Sequence, residues 1–379
     1  MRKYLLVISS LLFPCLHLLL PQQSEAAVVL QYHHVSHSAP KATRISPQLF
    51  SQHLYYLREN GYKVVPLYEL VHALENRLTL PDKTVAITFD DGYSSIYDTA
   101  FPLLKEYGYP FTVFINVKPV EQGLSQFVSW EQLLEMAEYG ASISNHSFSH
   151  PHLIRKNLNF AGFGSERSEE EWSENVLSEI RFSENVIKRK MGEQKGEAHR
   201  LFAYPYGEYS NALKKLLADN HIIAFGQQSG PIGRGANLQA LPRFPFGGNY
   251  GDVNDFAIKV SSFPMPIHSV TVFDDENNEI LDTVLPIPIT TPQLELSLKD
   301  ESINKRVQCY ASNQGEMNVE ILEKDSEDNN VLMITPKKSI PIGRSRFNCT
   351  AMSHESGRYY WYSHPFIRKE ENGGWYPEP

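Results

Sequence analysis

Between residues 28 and 262 the chain alternates short apolar runs with amphipathic stretches, and no other feature restricts its fold as strongly. Val28-Val29-Leu30 reads as a strand. Ser46 then caps a helix with Pro47 in its first turn, Phe50, Leu54 and Leu57 on one face, and Gly61 as its stop. Val64-Val65, Val85-Ala86-Ile87 and residues 111–115 are further strands, separated by helices that end at Gly108 and Gly140. Residues 141–144 and 201–203 continue the series. Between those two, residues 169–190 read as a long charged amphipathic helix closed by Gly192. Repeated strand–helix units imply a parallel sheet, and this many favour a closed or nearly closed barrel with its chemistry at the C-terminal ends of the strands.

After Pro264-Met265-Pro266 the pattern changes. Residues 269–273, 294–298, 306–311, 317–322 and 359–363 alternate like strands between turns rich in Asp, Asn, Ser and Gly, with no helix signal among them. This predicts a small all-β sandwich as a second domain. The first residues predict export: Arg2 and Lys3 precede an apolar run broken by Pro14, and Ser24-Glu25-Ala26 offers small residues for cleavage near Ala26 or Ala27. An uncleaved N-terminal anchor is the alternative. The expected division is therefore 1–26 signal peptide, 27–264 α/β domain and 265–379 β-sandwich, with the mature chain in the periplasm or outside the cell. Cleavage leaves two cysteines, Cys309 and Cys349, and an even count in an exported chain favours a disulfide. A net charge of -9 speaks against nucleic acid as a partner, because that role needs a basic face.

The motif that carries chemistry is TFDDG, Thr88 to Gly92, at the end of the Val85-Ala86-Ile87 strand. Adjacent aspartates repel each other, so something must neutralise them. NHSFSH supplies His146 and His150 four residues apart; were that turn helical, both imidazoles would share a face, as a divalent metal site requires. One aspartate added to two histidines leaves coordination positions open for water and substrate. A cation there also cancels the repulsion, holding one carboxylate as ligand and leaving the other to take a proton. YPYG, Tyr204 to Gly207, is a tight turn whose backbone N–H groups suit an oxyanion, although an ordinary strand-to-helix loop has the same composition. LQYHHV, Leu30 to Val35, places two histidines at the end of the first strand, where one could be a general acid or a merely packed side chain.

TFDDG, HSFSH and FAYPYG, in this order and at successive strand ends, resemble the polysaccharide deacetylases of carbohydrate esterase family 4, over residues 28–262. The resemblance implies the distorted (β/α) barrel of the NodB-homology type. It implies Asp90 as general base, Asp91, His146 and His150 as ligands of Zn²⁺ or another divalent transition metal, and the Tyr206 backbone N–H as oxyanion donor. Two features depart from the commonest pattern. Ala203 stands where many members carry an arginine that braces the base, and no Leu-x-His motif follows the last strand. LQYHHV instead resembles the circularly permuted branch, which includes the poly-β-1,6-N-acetylglucosamine deacetylases. That assigns His33 as the acid, with His34 and His268 in reserve, and Arg243 of LPRFPF as the replacement arginine. The expected substrate is an N-acetylglucosamine-containing polysaccharide. Rival readings are an O-acetyl esterase using the same site, and a glycan-binding protein on the same scaffold.

Overall fold

The computed structural model describes residues 23–377 except 25, 160–161, 164–166, 195 and 197–198. The expected signal peptide lies almost wholly outside the described residues. Among them, no helix is long and apolar enough to cross a membrane.

Six parallel strands form the frame: β1 (Ala26–Tyr32), β2 (Thr84–Asp91), β3 (Phe111–Ile115), β4 (Ala141–Asn145), β5 (Arg200–Ala203) and β6 (Ile222–Phe225). They lie in sequence order across one curled sheet. Every residue of β1 and β2 is buried, which is why these strands read as apolar runs and do not alternate. Lys63–Val64 adds to β2 one residue earlier than expected, and Ile232–Gly233 adds antiparallel to β1.

Residues 241–246 connect the two edges of the sheet. Leu241 exchanges backbone hydrogen bonds with Ala224 and Gly226, both 2.9 Å, beside β6. Three residues later Phe244 and Pro245 pair in parallel with Leu30 and Gln31 of β1. Arg243 is thereby carried into the gap between the edges, where its side chain is fully buried.

The helices follow their sequence signals. Ser46 accepts a hydrogen bond from the Leu49 N–H at the start of Pro47–Glu59, and Phe50, Leu54 and Leu57 are buried in the same core as Tyr32 and Phe89. The long helix Glu169–Met191 opens with a capping box, Ser168 with Glu171, and ends at Gly192. Its three first-turn glutamates and last-turn Lys188, Arg189 and Lys190 complement the helix dipole. Its buried face includes Trp172, Val176 and Ile180, each worth roughly 1.5–3 kcal/mol of burial. Glu179 lies on the same face.

From Phe263 onward the chain makes strands in two sheets. One has the order Phe263–Pro264, Tyr359–Arg368, Gly343–Met352, Gln308–Ala311, Gly315–Glu316; the other, Ile267–Phe273, Gln293–Leu298, Asn330–Thr335, Asn318–Ile321. Leu294, Leu296, Leu298, Phe347 and Phe366 share their core. Besides the two-residue strands Phe263–Pro264 and Gly315–Glu316, two longer ones escaped sequence reading. Gly343–Met352 buries Gly343, Ser345, Cys349 and Ala351, small side chains that give only a weak alternation, and Asn330–Thr335 is an apolar run without alternation. Glu301–Arg306 winds into a 3-10 turn, which delays the strand expected from residue 306 to Gln308.

Cys309 and Cys349 are bonded across neighbouring strands and enclose a 40-residue separation. Closing a loop of that length restricts the unfolded chain by about 4 kcal/mol. The double variant Cys309→Ser/Cys349→Ser is expected to lose a comparable amount in urea unfolding; a loss below about 1 kcal/mol would assign the bond no such role.

Candidate active site

The C-terminal ends of β1, β2, β4 and β5 bring the motif residues to one end of the curled sheet. At the end of β2 the backbone turns sharply. Asp91 has φ 71° and Gly92 φ 81°, and the Gly92 N–H donates to the Asp90 carbonyl at 2.9 Å. A Cβ on Gly92 would approach Ile115 Cγ2 to 3.1 Å in a conformation that L side chains rarely adopt, so glycine is required there. The turn sends the two carboxylates in different directions, which resolves their adjacency.

Asp91 faces His146 and His150, whose Nε2 atoms lie 3.3 and 3.4 Å from its Oδ1. The turn carrying the histidines is not helical, so a shared helix face is not what brings the two imidazoles together. Ser147 and His150 have φ 68° and 57°, and polar anchors hold the turn in place of helical hydrogen bonds. Asn145 Oδ1 accepts from Ser147 N–H at 2.8 Å, and Ser147 Oγ accepts from His150 N–H at 2.9 Å. The Glu179 carboxylate, 2% exposed, accepts from Phe148 N–H at 3.1 Å, Ser149 N–H at 2.9 Å and Ser149 Oγ at 2.7 Å. Glu179 and Asn145 thus hold the histidine turn, and neither was singled out from the sequence. The signal for Glu179 was available: a carboxylate on the apolar stripe of a helix.

The three side chains have the character of a metal site. His146 Nδ1–H donates to the Ala203 carbonyl at 2.8 Å, which leaves the Nε2 lone pair facing Asp91. That Nε2 is buried and, among the described residues, has no hydrogen-bond partner. One ligand atom from each of Asp91, His146 and His150 falls within a sphere of 4.8 Å mutual separation. Three converging electron-pair donors repel one another unless a cation joins them, so this donor set fits a divalent ion. The protonation preferences agree. Burial, then His146, outweigh Asp91 and lower His150 to about 4, keeping it a neutral donor. Burial alone would lower His146, but Asp91 and Asp90 more than reverse it and raise its pKa, the pull of two carboxylates on one imidazole. Asp91 and His150 retain 12% and 20% side-chain exposure, so the trio opens to solvent on one side.

Asp90 points the other way, into the gap that Arg243 fills. The guanidinium grips it with two bonds, Nη1 to Oδ1 at 2.7 Å and Nη2 to Oδ2 at 2.8 Å. Gln31 Nε2 donates to Oδ2 at 2.6 Å. Arg243 is itself fixed by the Gly226 carbonyl at 2.9 Å and Thr88 Oγ1 at 3.2 Å. Burial pushes the Asp90 carboxyl up, but Arg243 and then His146 outweigh it and hold it below the ordinary carboxylate range. Gln31 was also missed by sequence reading; a fully buried amide inside the apolar β1 run was its signal.

His33 is close enough to act on the charges of Asp90, Asp91 and His150. His34 stacks on Tyr93 at 3.7 Å, and Tyr93 stacks in turn on Phe127 at 5.1 Å. Burial and His33 lower His34 to about 4 against the pull of Asp91. His268 is not brought to this end. It is exposed on Ile267–Phe273, paired with Glu327 at 3.3 Å, because its strand belongs to the C-terminal sheets. Tyr206 occupies the turn after β5 with φ 59°, its ring centre 4.5 Å from that of the His150 ring in an edge-to-face arrangement.

Residues 77–223 match the family model for polysaccharide deacetylase. They belong to that family. The chain is accordingly a hydrolase, and the matched span carries Asp90, Asp91, His146, His150 and Tyr206, while His33 and Arg243 fall outside it. Among similar proteins, the candidate polysaccharide deacetylase YxkH of Bacillus subtilis is 28% identical over 216 residues, 57% of this chain and 69% of that one. The poly-beta-1,6-N-acetyl-D-glucosamine N-deacetylase of Escherichia coli K12 is 24% identical over 250 residues, 59% of this chain but only 37% of its own length. A solved de-N-acetylase from Aggregatibacter actinomycetemcomitans superposes with a TM-score of 0.51 and 23% identity, covering 61% of this chain and 99% of that one. At that identity the likeness speaks for the fold alone.

Proposed function

We propose that this hydrolase removes acetyl groups from N-acetylglucosamine residues of an envelope or extracellular polysaccharide, poly-β-1,6-N-acetylglucosamine being the first candidate. The observation that carries the reading is the division of two adjacent aspartates, one locked to a buried arginine and one turned to two histidines. The Escherichia coli relative's name and the position of LQYHHV ahead of the other motifs support the choice of glycan. The proposed organisation is a signal peptide at 1–26, a deacetylase barrel at 27–264 and a β-sandwich at 265–379, exported to the periplasm or beyond.

In this reading Asp91, His146 and His150 hold a divalent ion such as Zn²⁺. When bound, the ion supplies Lewis acidity at the acetamide carbonyl and lowers the pKa of water. Asp90 accepts the proton of the attacking water. A carboxylate has about four acceptor positions, and Arg243 and Gln31 occupy three, leaving one on Oδ1 for this proton. The water oxygen bonds to the acetamide carbon, and the oxyanion that forms accepts from the Tyr206 N–H. His33 gives a proton to the nitrogen as the C–N bond breaks, so that acetate and a free amine depart. Arg243 keeps Asp90 ionised and aimed.

The test compares acetate release from poly-β-1,6-N-acetylglucosamine, chitin oligomers and O-acetylated glycans. Release from the N-acetylated glycans is expected, and release from O-acetylated glycans alone would replace this reading with an esterase. His33→Ala is expected to lower turnover by about 10²- to 10⁴-fold with the metal retained. Near-normal activity of that variant would move the acid to His34.

A further inference from the structure

Behind the Tyr206 turn lies a buried polar network that the chemistry above leaves unused. Glu208 is 2% exposed and His152 4%, and each follows a site residue by two positions, Tyr206 and His150 respectively. His152 Nδ1–H donates to Glu208 Oε2 at 2.8 Å. The other carboxylate oxygen accepts from Arg344 Nη1 at 2.9 Å and from the Tyr376 hydroxyl. Arg344 and Tyr376 both come from the C-terminal part of the chain. The His152 ring lies flat on the Tyr206 ring, 4.0 Å between centroids and 7° between planes. The Arg344 guanidinium carbon stands 5.1 Å from the centre of the same Tyr206 ring.

We infer that Arg344 and Tyr376 are positioning residues for the deacetylase site: through Glu208 and His152 they hold the Tyr206 turn against the His150 loop. The inference rests on the roles proposed above for Tyr206 and His150.

Three physical points support it. A buried carboxylate is tolerated only with its donors in place, and two of the three named above, Arg344 and Tyr376, are supplied from beyond residue 340. A residue such as Tyr206, at φ 59°, keeps that conformation only where its surroundings over-determine it. Gly207 beside it has φ 69°, and a Cβ there would meet the Gln227 side chain at 2.6 Å and its backbone N at 3.0 Å, so the turn is also wedged against the loop after β6. That loop is gripped by Arg346, which donates to the Gln227 carbonyl. Arg344 and Arg346 are two apart on Gly343–Met352 and so share one face of the strand, while Ser345 and Phe347 between and beyond them are buried. One face of this strand therefore carries two arginines, Arg344 on the Tyr206 turn through Glu208 and Arg346 on the loop after β6. Tyr376 is held in its turn by Arg155, which donates to its carbonyl at 3.2 Å.

The experiment uses the full chain with Arg344→Met, Arg344→Lys and Tyr376→Phe. It reads kcat and KM for acetate release, and amide hydrogen exchange over residues 204–209 in protein stripped of metal. A misplacement of about 1 Å costs up to about 100-fold in rate, so Arg344→Met is expected to lose about 10- to 100-fold in kcat with KM within about twofold. Exchange over 204–209 should quicken in that variant. Arg344→Lys, which keeps the charge on Glu208, should recover most of the loss. Tyr376→Phe removes one hydroxyl and should show a smaller change in the same sense.

Unchanged kcat and exchange in Arg344→Met would overturn the inference. A raised KM at unchanged kcat would do so too, because Arg344 would then be a substrate contact. If Arg344→Met does not fold, Tyr376→Phe decides, with wild-type kcat and exchange as the contrary result. Failure of the deacetylase reading is visible separately, as absence of acetate release from the metal-loaded wild type. The exchange data then judge the positioning on their own.

Discussion

Asp90→Asn is expected to lower kcat by about 10²- to 10⁴-fold while the protein still binds one divalent ion. Asp91→Ala should lose the ion and, with it, turnover. The contrast follows from the turn at Asp91 and Gly92, which separates neighbouring carboxylates into two environments. Asn at position 90 keeps an acceptor for Arg243, and a flipped Gln31 amide can offer Oε1, which has no partner among the described residues, to the new amide N–H. The fold should therefore survive at reduced stability. Zinc stoichiometry and steady-state acetate release on both variants check the prediction. Equal metal loss in the two would remove the division of labour.

Arg243→Met should act on stability as well as rate. Removing one partner of a buried ion pair costs about 3–5 kcal/mol, because the other charge is left without compensation. Arg243 and Asp90 are both fully buried, and the guanidinium also ties β2 to the segment that joins the sheet edges. Lysine is not a substitute, since it offers a point charge in place of a planar fork. In the wild type the Asp90 pKa is depressed. Its contribution is complete above the unfolded value of about 4 and fades only as pH falls through the lower folded value. In Arg243→Met, burial without the guanidinium raises the folded pKa relative to the wild type. Urea unfolding between pH 5 and 8 should then show the deficit persisting or growing as pH rises. A loss below about 1 kcal/mol would mean that Asp90 finds another counter-charge.

How far the sequence can be read is decided by what each residue depends on. The strand–helix alternation and the caps at Ser46 and Ser168 are local, and they are where the sequence puts them. Asp91, His146 and His150 were legible because Asp91 ends one strand and the histidines lie on the turn that follows another, and parallel strands bring their C-terminal ends together. The conformation of the histidine turn was not legible. It depends on Glu179, some thirty residues away on a helix, and the four-residue spacing of the histidines left the turn's conformation open. Arg243 was suggested only by the empty position at Ala203. Its route to Asp90 exists because residues 241–246 link the sheet edges, a tertiary event that composition does not announce. The clasp of Arg344 and Tyr376 on Glu208 spans 136 and 168 residues and left no sequence signal.

The measurement closest to the central claim is acetate release from poly-β-1,6-N-acetylglucosamine by chelator-stripped protein titrated with Zn²⁺. The account predicts no release without the ion, and release that rises with added zinc and saturates at one equivalent per chain. Undiminished release by the stripped protein, or none at any zinc level, would contradict it.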